Sequence, residues 1–406
     1  MDSNKVAKID KHIDALDGIR AIAIFFVVWF HLWQQNWITP YIFLNNTFFK
    51  YLGIEQIPVH FFVRYGYVLV DLLVFLSAFC NFYPYVRSMI LGEPWPNTRE
   101  FYFKRFVRIV PSYFLAVLVS AIIAAATGLY GNDTRFMVWD IFTHLTCISG
   151  FFPSTFIGTK MNPVLWTVEM EVIFYIFIPF LASQLKKRPG VTYSLMMLIS
   201  ILFTYGTIYG HAESIRGYVN YPLTFLCMYA NGFLACYVFT VIKRDLNESN
   251  YSQIFFTAVS MFSVLIFYLV IKKFGDYEDK NVYQMSIRML TSFIFSIFTI
   301  STCLSIGWYR KIFGNKIMGF ICFISYNLYI WHQYIFALMV KYHIPGYTGD
   351  HNPAWDSDAA WQWKYTLCAV FIVICVAIFT TICVEIPAKK FIEKRFKNKF
   401  VKADKE

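Results

Sequence analysis

Charge is scarce in this chain. Asp, Glu, Lys and Arg make up 15% of its 406 residues, against roughly 25% in soluble globular domains. That shortage, with 58% hydrophobic residues and a mean hydropathy of +0.49, excludes an ordinary soluble fold and points to a polytopic membrane protein. Other absences narrow the reading. The nine cysteines, most of them inside apolar runs, follow neither a disulfide framework nor zinc-ligand spacing; they read as small packing residues, with no metal site. No internal repeat supports an inverted-repeat transporter, and the weak alternation of a membrane barrel is missing, which leaves helices. No small-residue cleavage site follows Lys5, Lys8 and Lys11, and Arg20 interrupts the first apolar run. The first helix is therefore expected to stay as a span rather than leave as a signal peptide. The net charge of +11 sits in short loops between apolar runs, which suits topology and anionic lipid; no nucleic-acid partner is expected.

What is present is a series of apolar stretches long enough to cross a bilayer. They predict ten spans, near 19–39, 60–83, 108–129, 164–183, 192–210, 220–242, 252–271, 287–308, 317–340 and 364–385. The fold class is all-α, a membrane helix bundle. Basic residues orient it. Arg87, Arg99, Lys104 and Arg105, then Lys186–Arg188, Lys243 and Arg244, Arg310 and Lys311, and the tail from Lys389 fall on one side. This predicts both termini in the cytoplasm and a location in the plasma or inner membrane. The loop from Gly131 to Pro163 is the longest on the outer side and is expected to dip into the interface or cover a cavity. In the outer loop from Tyr342 to Trp363, Trp355, Trp361 and Trp363 read as interface anchors, or as a platform for a sugar beside acidic residues.

Polar residues inside the apolar runs are the candidate functional groups, because an ionisable side chain in hydrocarbon is costly and needs a cavity, a partner or a reaction. DGIRAIAIFFVVWFHLW, beginning at Asp17, carries Arg20 and His31 eleven residues apart, about 16 Å along a helix axis. His31 is read as facing a reaction site; the alternative is a neutral imidazole hydrogen-bonded within the bundle. GYVLVDLLVFLSAF places Asp71 and Ser77 in the second span. Arg105 and Arg108 share a helix face before Pro111 and Tyr113; with Arg20 on the same membrane side they suit a phosphate-rich donor, since the guanidinium fork matches phosphate oxygens. Topological anchoring is the alternative. WTVEMEVIFY, opening at Trp166, carries Glu169 and Glu171, which point different ways on a helix, so at most one shares a tight cavity with His31. SYNLYIWHQ carries Tyr326, Tyr329 and His332, the last read as hydrogen-bonding a tyrosine, with acid–base work as the alternative. Glu385 closes the final span before Pro387.

Together these segments resemble the acyltransferase-3 family of integral membrane acyltransferases over nearly the whole chain. The likeness rests on Arg20 with ten residues before His31, on Gly66, Asp71 and Ser77, on Arg105, Arg108, Pro111 and Tyr113, on Trp166 with Glu171 in register, on Ser325, Tyr326, Tyr329 and His332, and on Glu385 with Pro387. Ala78 stands where the family commonly has glycine, and Thr167 and Val168 replace its Ser and Leu. Glu169 lies outside the register.

The resemblance implies transfer of an acyl group, often acetyl, from cytoplasmic acyl-CoA to a hydroxyl of an extracytoplasmic or membrane-linked acceptor, commonly a cell-envelope carbohydrate. It implies no permanently bound cofactor, the acyl-CoA being a substrate. His31 is then the general base, with Glu171 orienting it or binding the acceptor. Arg20, Arg105 and Arg108 hold the CoA phosphates. Asp17, Asp71, Ser77, Trp166, Tyr326, Tyr329, His332 and Glu385 are structural or substrate-binding. Residues 1–18 form a cytoplasmic segment, 19–385 the membrane acyltransferase domain and 386–406 a basic cytoplasmic tail, the arrangement of the family's stand-alone members. Membrane lipids and a glycan or other hydroxyl-bearing molecule are the expected partners. A transporter or flippase of a polar or lipid-linked substrate is the competing reading, because buried ionisable groups line such pathways too.

Overall fold

The computed structural model describes residues 10, 12–38, 41–43, 56–58, 63–210, 212–246, 249–348 and 351–401. The expected N-terminal segment apart from its last few residues, the ends of the first two spans at 39 and 60–62, the start of the acidic loop at 349–350 and the last five residues of the tail lie outside them. The bundle is all-α, and its long helices arise where apolar runs must satisfy their own backbone. They are α1 (Asp14–Asn36), α2 (Leu69–Leu91), α3 (Thr98–Ala126), α4 (Thr134–Leu145), α5 (Leu165–Lys187), α6 (Pro189–Gly210), α7 (Leu226–Asp245), α8 (Asn250–Lys272), α9 (Lys280–Cys303), α10 (Lys316–Lys341), α11 (Ala359–Phe379) and α12 (Ile386–Val401). One antiparallel pair of three-residue strands, β1 (Tyr41–Phe43) with β2 (Gln56–Pro58), lies between α1 and α2.

Among the described residues nine helices are long and apolar enough to cross a membrane. The remaining expected span, the ninth, is α10, with 26 residues, ample length for a crossing. It falls short in apolarity because Ser325, Asn327, His332 and Gln333 interrupt it. Several helices start on side-chain caps that accept the orphan amides of the first turn: Asn97 for α3, Ser249 for α8, Asp279 for α9, Asn315 for α10 and Asp358 for α11. The helices are displaced from the apolar runs at 19–39 and 60–83: α1 starts earlier, at Asp14, and α2 starts later, at Leu69, and runs on to Leu91.

Three helices form the axis of the molecule. α1 packs along both α2 and α10, and α2 packs along α7. The approach of α2 to α7 rests on small residues: a Cβ on Gly232 would come within 2.6 Å of the Ala78 methyl. Gly232 thus supplies the space that a glycine at position 78 would otherwise give. Where the chain turns into α2, a Cβ on Gly66 would meet the Phe26 carbonyl at 2.2 Å, so only glycine lets that turn lie against α1. The basic ends of several helices gather at the Arg20 end. Arg87 donates to the Asp10 carbonyl, and the Lys186 ammonium lies 4.6 Å from the Trp95 ring.

The long loop after α3 is more ordered than its glycine content suggests. It contains the amphipathic helix α4 and the short turns Ser149–Phe151 and Pro153–Phe156. Asp140, Thr143 and His144 of α4 are buried. After α11 a π-helical turn, Thr380–Glu385, leads into α12.

Candidate active site

Two cavities follow one another along the axis formed by α1, α2 and α10. The first lies toward the Arg20 end. Arg20 from α1, Arg105 and Arg108 from α3, and Ser77, Asn81, Glu171, Tyr175 and Tyr326 line it. Glu171 is its carboxylate, and it is already occupied by hydroxyls. Ser77 Oγ donates to Glu171 Oε1 at 2.5 Å, and the Tyr175 hydroxyl donates to the same oxygen. Asn81 Nδ2 donates to Ser77 Oγ at 3.1 Å and to its carbonyl at 2.7 Å. The guanidinium of Arg105 lies 5.3 Å from the Phe101 ring and 5.4 Å from that of Tyr175, and its Nε is buried with no hydrogen-bond partner. Arg20 Nη2 reaches only the thiol of Cys80, at 3.9 Å. Among the described residues none of the three arginines forms an ion pair. Three positive groups around one shared carboxylate leave a surplus suited to a polyanion.

The second cavity lies toward the far end of α1. His31, Asp71, Tyr67, Trp166, Tyr329 and Gln333 line it, with Arg216, Asn220, Asn281 and Gln284 at its rim. His31 Nδ1 donates to Gln34 Oε1 at 2.9 Å, so its Nε2 carries the lone pair. Its ring centroid is 5.0 Å from that of His332. His332 Nδ1 donates to the Tyr329 carbonyl at 2.6 Å, and its Nε2 is buried without a partner. Two neutral imidazoles thus stand side by side, each with Nε2 available as an acceptor.

The structure corrects one expected grouping. His31 and Glu171 do not share a cavity; each lines its own. Five residues beyond Trp166, Glu171 is carried by α5 past the level of His31 and toward Arg20. The side chain that orients His31 is Gln34, and its neighbour is His332. Trp355, Trp361 and Trp363 do not line the His31 cavity either. Trp361 is 5% exposed and donates Nε1 to the Pro345 carbonyl, while Trp355 is exposed at 69%. Trp166 does line that cavity, its ring meeting Phe156 edge-on.

Asp71 finds its partner in Arg288 of α9. Arg288 Nε donates to Asp71 Oδ2 at 3.2 Å, and Nη1 donates to the Val219 carbonyl and Thr224 Oγ1 at 2.7 and 2.6 Å. The guanidinium lies 3.9 Å from the Phe225 ring centroid, and both members of the pair are 1% exposed. Arg288 was legible as a lone arginine in an apolar run, but its nearness to the predicted start of the eighth span makes it look like a boundary residue. Asn327 is likewise unforeseen. It donates to Glu385 Oε2 at 2.7 Å and to Thr381 Oγ1 at 2.9 Å, holding the π turn against α10. Tyr326 donates to the Ile109 carbonyl at 3.0 Å, and Asp17 accepts from the Cys322 thiol outside both cavities.

Glu169 belongs to a third polar cluster, under α4. It accepts from Tyr113 at 2.9 Å and from Ser149 at 2.6 Å, and His144 Nε2 lies 3.9 Å away. His144 Nδ1 donates to the Asp140 carbonyl at 2.8 Å. Asp140 Oδ2 accepts from Tyr130, Thr159 and the Lys160 amide. Burial opposes the charged imidazole of His144, but the hydrogen bond with Asp140 and the charge of Glu169 outweigh it and raise His144 above the ordinary histidine value. Burial opposes ionisation of Asp140 too, and the bonds from His144 and Lys160 hold it below the ordinary carboxylate value.

Comparison with known proteins places this arrangement. A profile described as an acyltransferase domain matches residues 13–384. A protein of Staphylococcus aureus (strain COL) named "Putative O-acetyltransferase" is 25% identical over 361 residues, covering 83% of this chain and 52% of that protein. The O-acetyltransferase OatA of Staphylococcus aureus (strain NCTC 8325 / PS 47) is 23% identical over 371 residues, covering 85% and 55%. The chain spans about half the length of the curated relatives it matches. No solved structure matches it. With the profile running through α1 to the π turn, and so across both cavities, the chain belongs to the acyltransferase-3 family.

Proposed function

We propose that the protein transfers an acyl group, acetyl in the first instance, from cytoplasmic acyl-CoA to a hydroxyl of an extracytoplasmic or membrane-linked acceptor, a cell-envelope carbohydrate. The observation that carries this reading is the pairing of cavities. Three arginines with no ion-pair partner among the described residues line one, and a histidine with a lone pair on Nε2 lines the next. Arg20, Arg105 and Arg108 bind the CoA phosphates. The pantetheine arm then runs along the axis toward His31, and the acceptor enters the second cavity, where aromatic faces and side-chain amides suit a sugar. The family and the names of its relatives support O-acyl transfer for this chain.

The chemistry follows from His31. Its Nε2 takes the proton of the acceptor hydroxyl as that oxygen attacks the thioester carbonyl carbon. The new C–O bond forms, the tetrahedral intermediate collapses, and the C–S bond breaks. The imidazolium returns the proton to the departing CoA sulfur. Gln34 fixes the tautomer through Nδ1, and Glu171 holds Ser77 and Tyr175 in the donor cavity rather than acting on His31. The acyl-CoA is a substrate, and the reaction needs no resident cofactor. Basic loops at the Arg20 end support both termini in the cytoplasm and a plasma- or inner-membrane location.

The test is direct. Purified protein in detergent is given acetyl-CoA with and without a soluble chito-oligosaccharide, and free CoA thiol and acetylated product are measured. Thiol release that depends on His31 supports the assignment. Absence of release and of product from the intact protein overturns it and leaves transport as the reading to pursue. Cysteine labelling at Ser249 and Asp356 tests orientation: both reacting from one side of sealed vesicles sinks the proposed topology.

A further inference from the structure

We propose that Val70 and Tyr329 form a gauge that selects the length of the transferred acyl chain. The inference rests on the donor and acceptor assignments just made. Val70 and Tyr329 line both cavities, so they are the wall between them. All three axial helices cross from one cavity to the other at this level, α2 running opposite to α1 and α10. On α1, Arg20 and Ile24 line the arginine cavity and His31 the other. On α2, Asp71 lines the histidine cavity, Val70 both, and Leu73, Val74 and Ser77 the arginine cavity. On α10 the order is Tyr326, Tyr329, Gln333.

The donor's phosphates and the catalytic base are therefore about 16 Å apart along the axis, and the thioester has to be carried between them. Base catalysis requires the attacking oxygen within hydrogen-bond reach of His31 Nε2 and the carbonyl carbon about 3–3.5 Å from that oxygen. The thioester carbonyl consequently stands at the level of Val70 and Tyr329. Its acyl tail lies against Val70 and Tyr329, at the constriction where the two cavities meet. Val70 is 9% exposed, Val74 6% and Ile24 1%, and close-packed branched side chains do not yield space cheaply. A methyl group is accommodated at this wall, and each further methylene must displace packed atoms. An apolar wall of this kind discriminates one methylene by roughly 10–200-fold.

The experiment uses the full-length protein in detergent with acetyl-, propionyl- and butyryl-CoA, and with water or chitotetraose as acceptor. Released CoA thiol is followed as kcat/KM for each donor. The intact protein is expected to prefer acetyl. Val70→Ala, which enlarges the wall, is expected to raise the butyryl-to-acetyl ratio at least about tenfold. Val70→Ile, which adds one methylene and keeps the branched shape, is expected to lower the propionyl-to-acetyl ratio. It carries the test alone if Val70→Ala does not fold. Ratios unchanged in folded variants overturn the gauge while leaving the acyltransferase assignment in place. So does an intact protein that uses the three donors equally. An intact protein that releases no thiol from any acyl-CoA overturns the acyltransferase assignment, and the gauge with it.

Discussion

The arginine cavity and the histidine cavity are walled by the same helices, α1, α2 and α10, yet they meet their charges in opposite ways. In the first, Glu171 is engaged by Ser77 and Tyr175, and among the described residues the arginines have no carboxylate partners. In the second, the Asp71 carboxylate is matched by Arg288, the two imidazoles are uncharged, and Lys280 at the rim donates to the backbone carbonyls of Phe274 and Tyr277. Unpaired positive charge stands inside the first cavity, whereas in the second the buried charges, Asp71 and Arg288, are paired and the remaining cations, Arg216 and Lys280, stand at its rim. A polyanionic thioester suits the first. A neutral hydroxyl that must give up a proton suits the second, because Arg288 takes up the Asp71 charge and Gln34 engages His31 through Nδ1, which leaves Nε2 free to act as a base.

The sharpest way to break this contrast is to unbalance the histidine cavity. Arg288→Leu leaves a carboxylate buried without its countercharge and is expected to destabilise the protein by about 3–5 kcal/mol. Denaturant unfolding in detergent reads this. The double variant Asp71→Leu with Arg288→Leu should recover most of the loss, and an undiminished midpoint in the single variant would remove the pair from the argument. Next in size, His31→Ala is expected to lower transfer about 10²-fold or more, with thermal stability near that of the parent. Transfer at the parental rate in a folded variant would return His31 to a structural role. At the other cavity, Arg105→Gln with Arg108→Gln is expected to weaken acyl-CoA binding at least about tenfold. Acceptor binding should be nearly unchanged, as measured by calorimetry with each ligand separately. Unchanged CoA affinity would assign both arginines to topology.

The smallest expected effect concerns α4, which neither cavity includes. His144 has its folded value raised above the ordinary histidine value. Its contribution to docking is therefore fully present below about pH 6.5 and is lost as pH rises through the raised value. Asp140, held below the ordinary carboxylate value, contributes above about pH 3.9 and loses that contribution as pH falls. Hydrogen exchange of α4 amides, corrected for intrinsic rate, should accelerate on the alkaline side. Flat protection across that range would show that apolar contacts, not this cluster, hold α4 down.

Much of the arrangement was legible before the fold was known, and the failures are instructive. Arg20, Arg105 and Arg108 were expected on one membrane side, and the structure brings them into one cavity. Periodicity also separated Glu169 from Glu171. What it did not show was that Glu169 has a more crowded polar environment than Glu171. The partners of Glu169 are Tyr113, His144 and Ser149, and two of these come from a loop whose helix carries only a short apolar stripe. His31 was grouped with Glu171 because both are polar and within spans; depth along the axis, not chemistry, keeps them apart. α10 was identified as a span although its polar face lowers its hydropathy, because its apolar run is long.

By itself the sequence determined that the chain is an all-α bundle, which ends carry the positive charge, and which residue types must be shielded from hydrocarbon. These are properties of local runs, since the cost of an exposed backbone or ionised side chain in lipid depends on what lies within one span. Only the tertiary structure decided which polar groups share a cavity. That depends on how far each helix is rotated and slid against its neighbours, and here small residues set both. Gly232 opposite Ala78 draws α7 onto α2, and Gly66 against the Phe26 carbonyl seats the start of α2 on α1. From those contacts follow the Asp71–Arg288 pair, the facing imidazoles of His31 and His332, and a wall of Val70 and Tyr329 between two cavities.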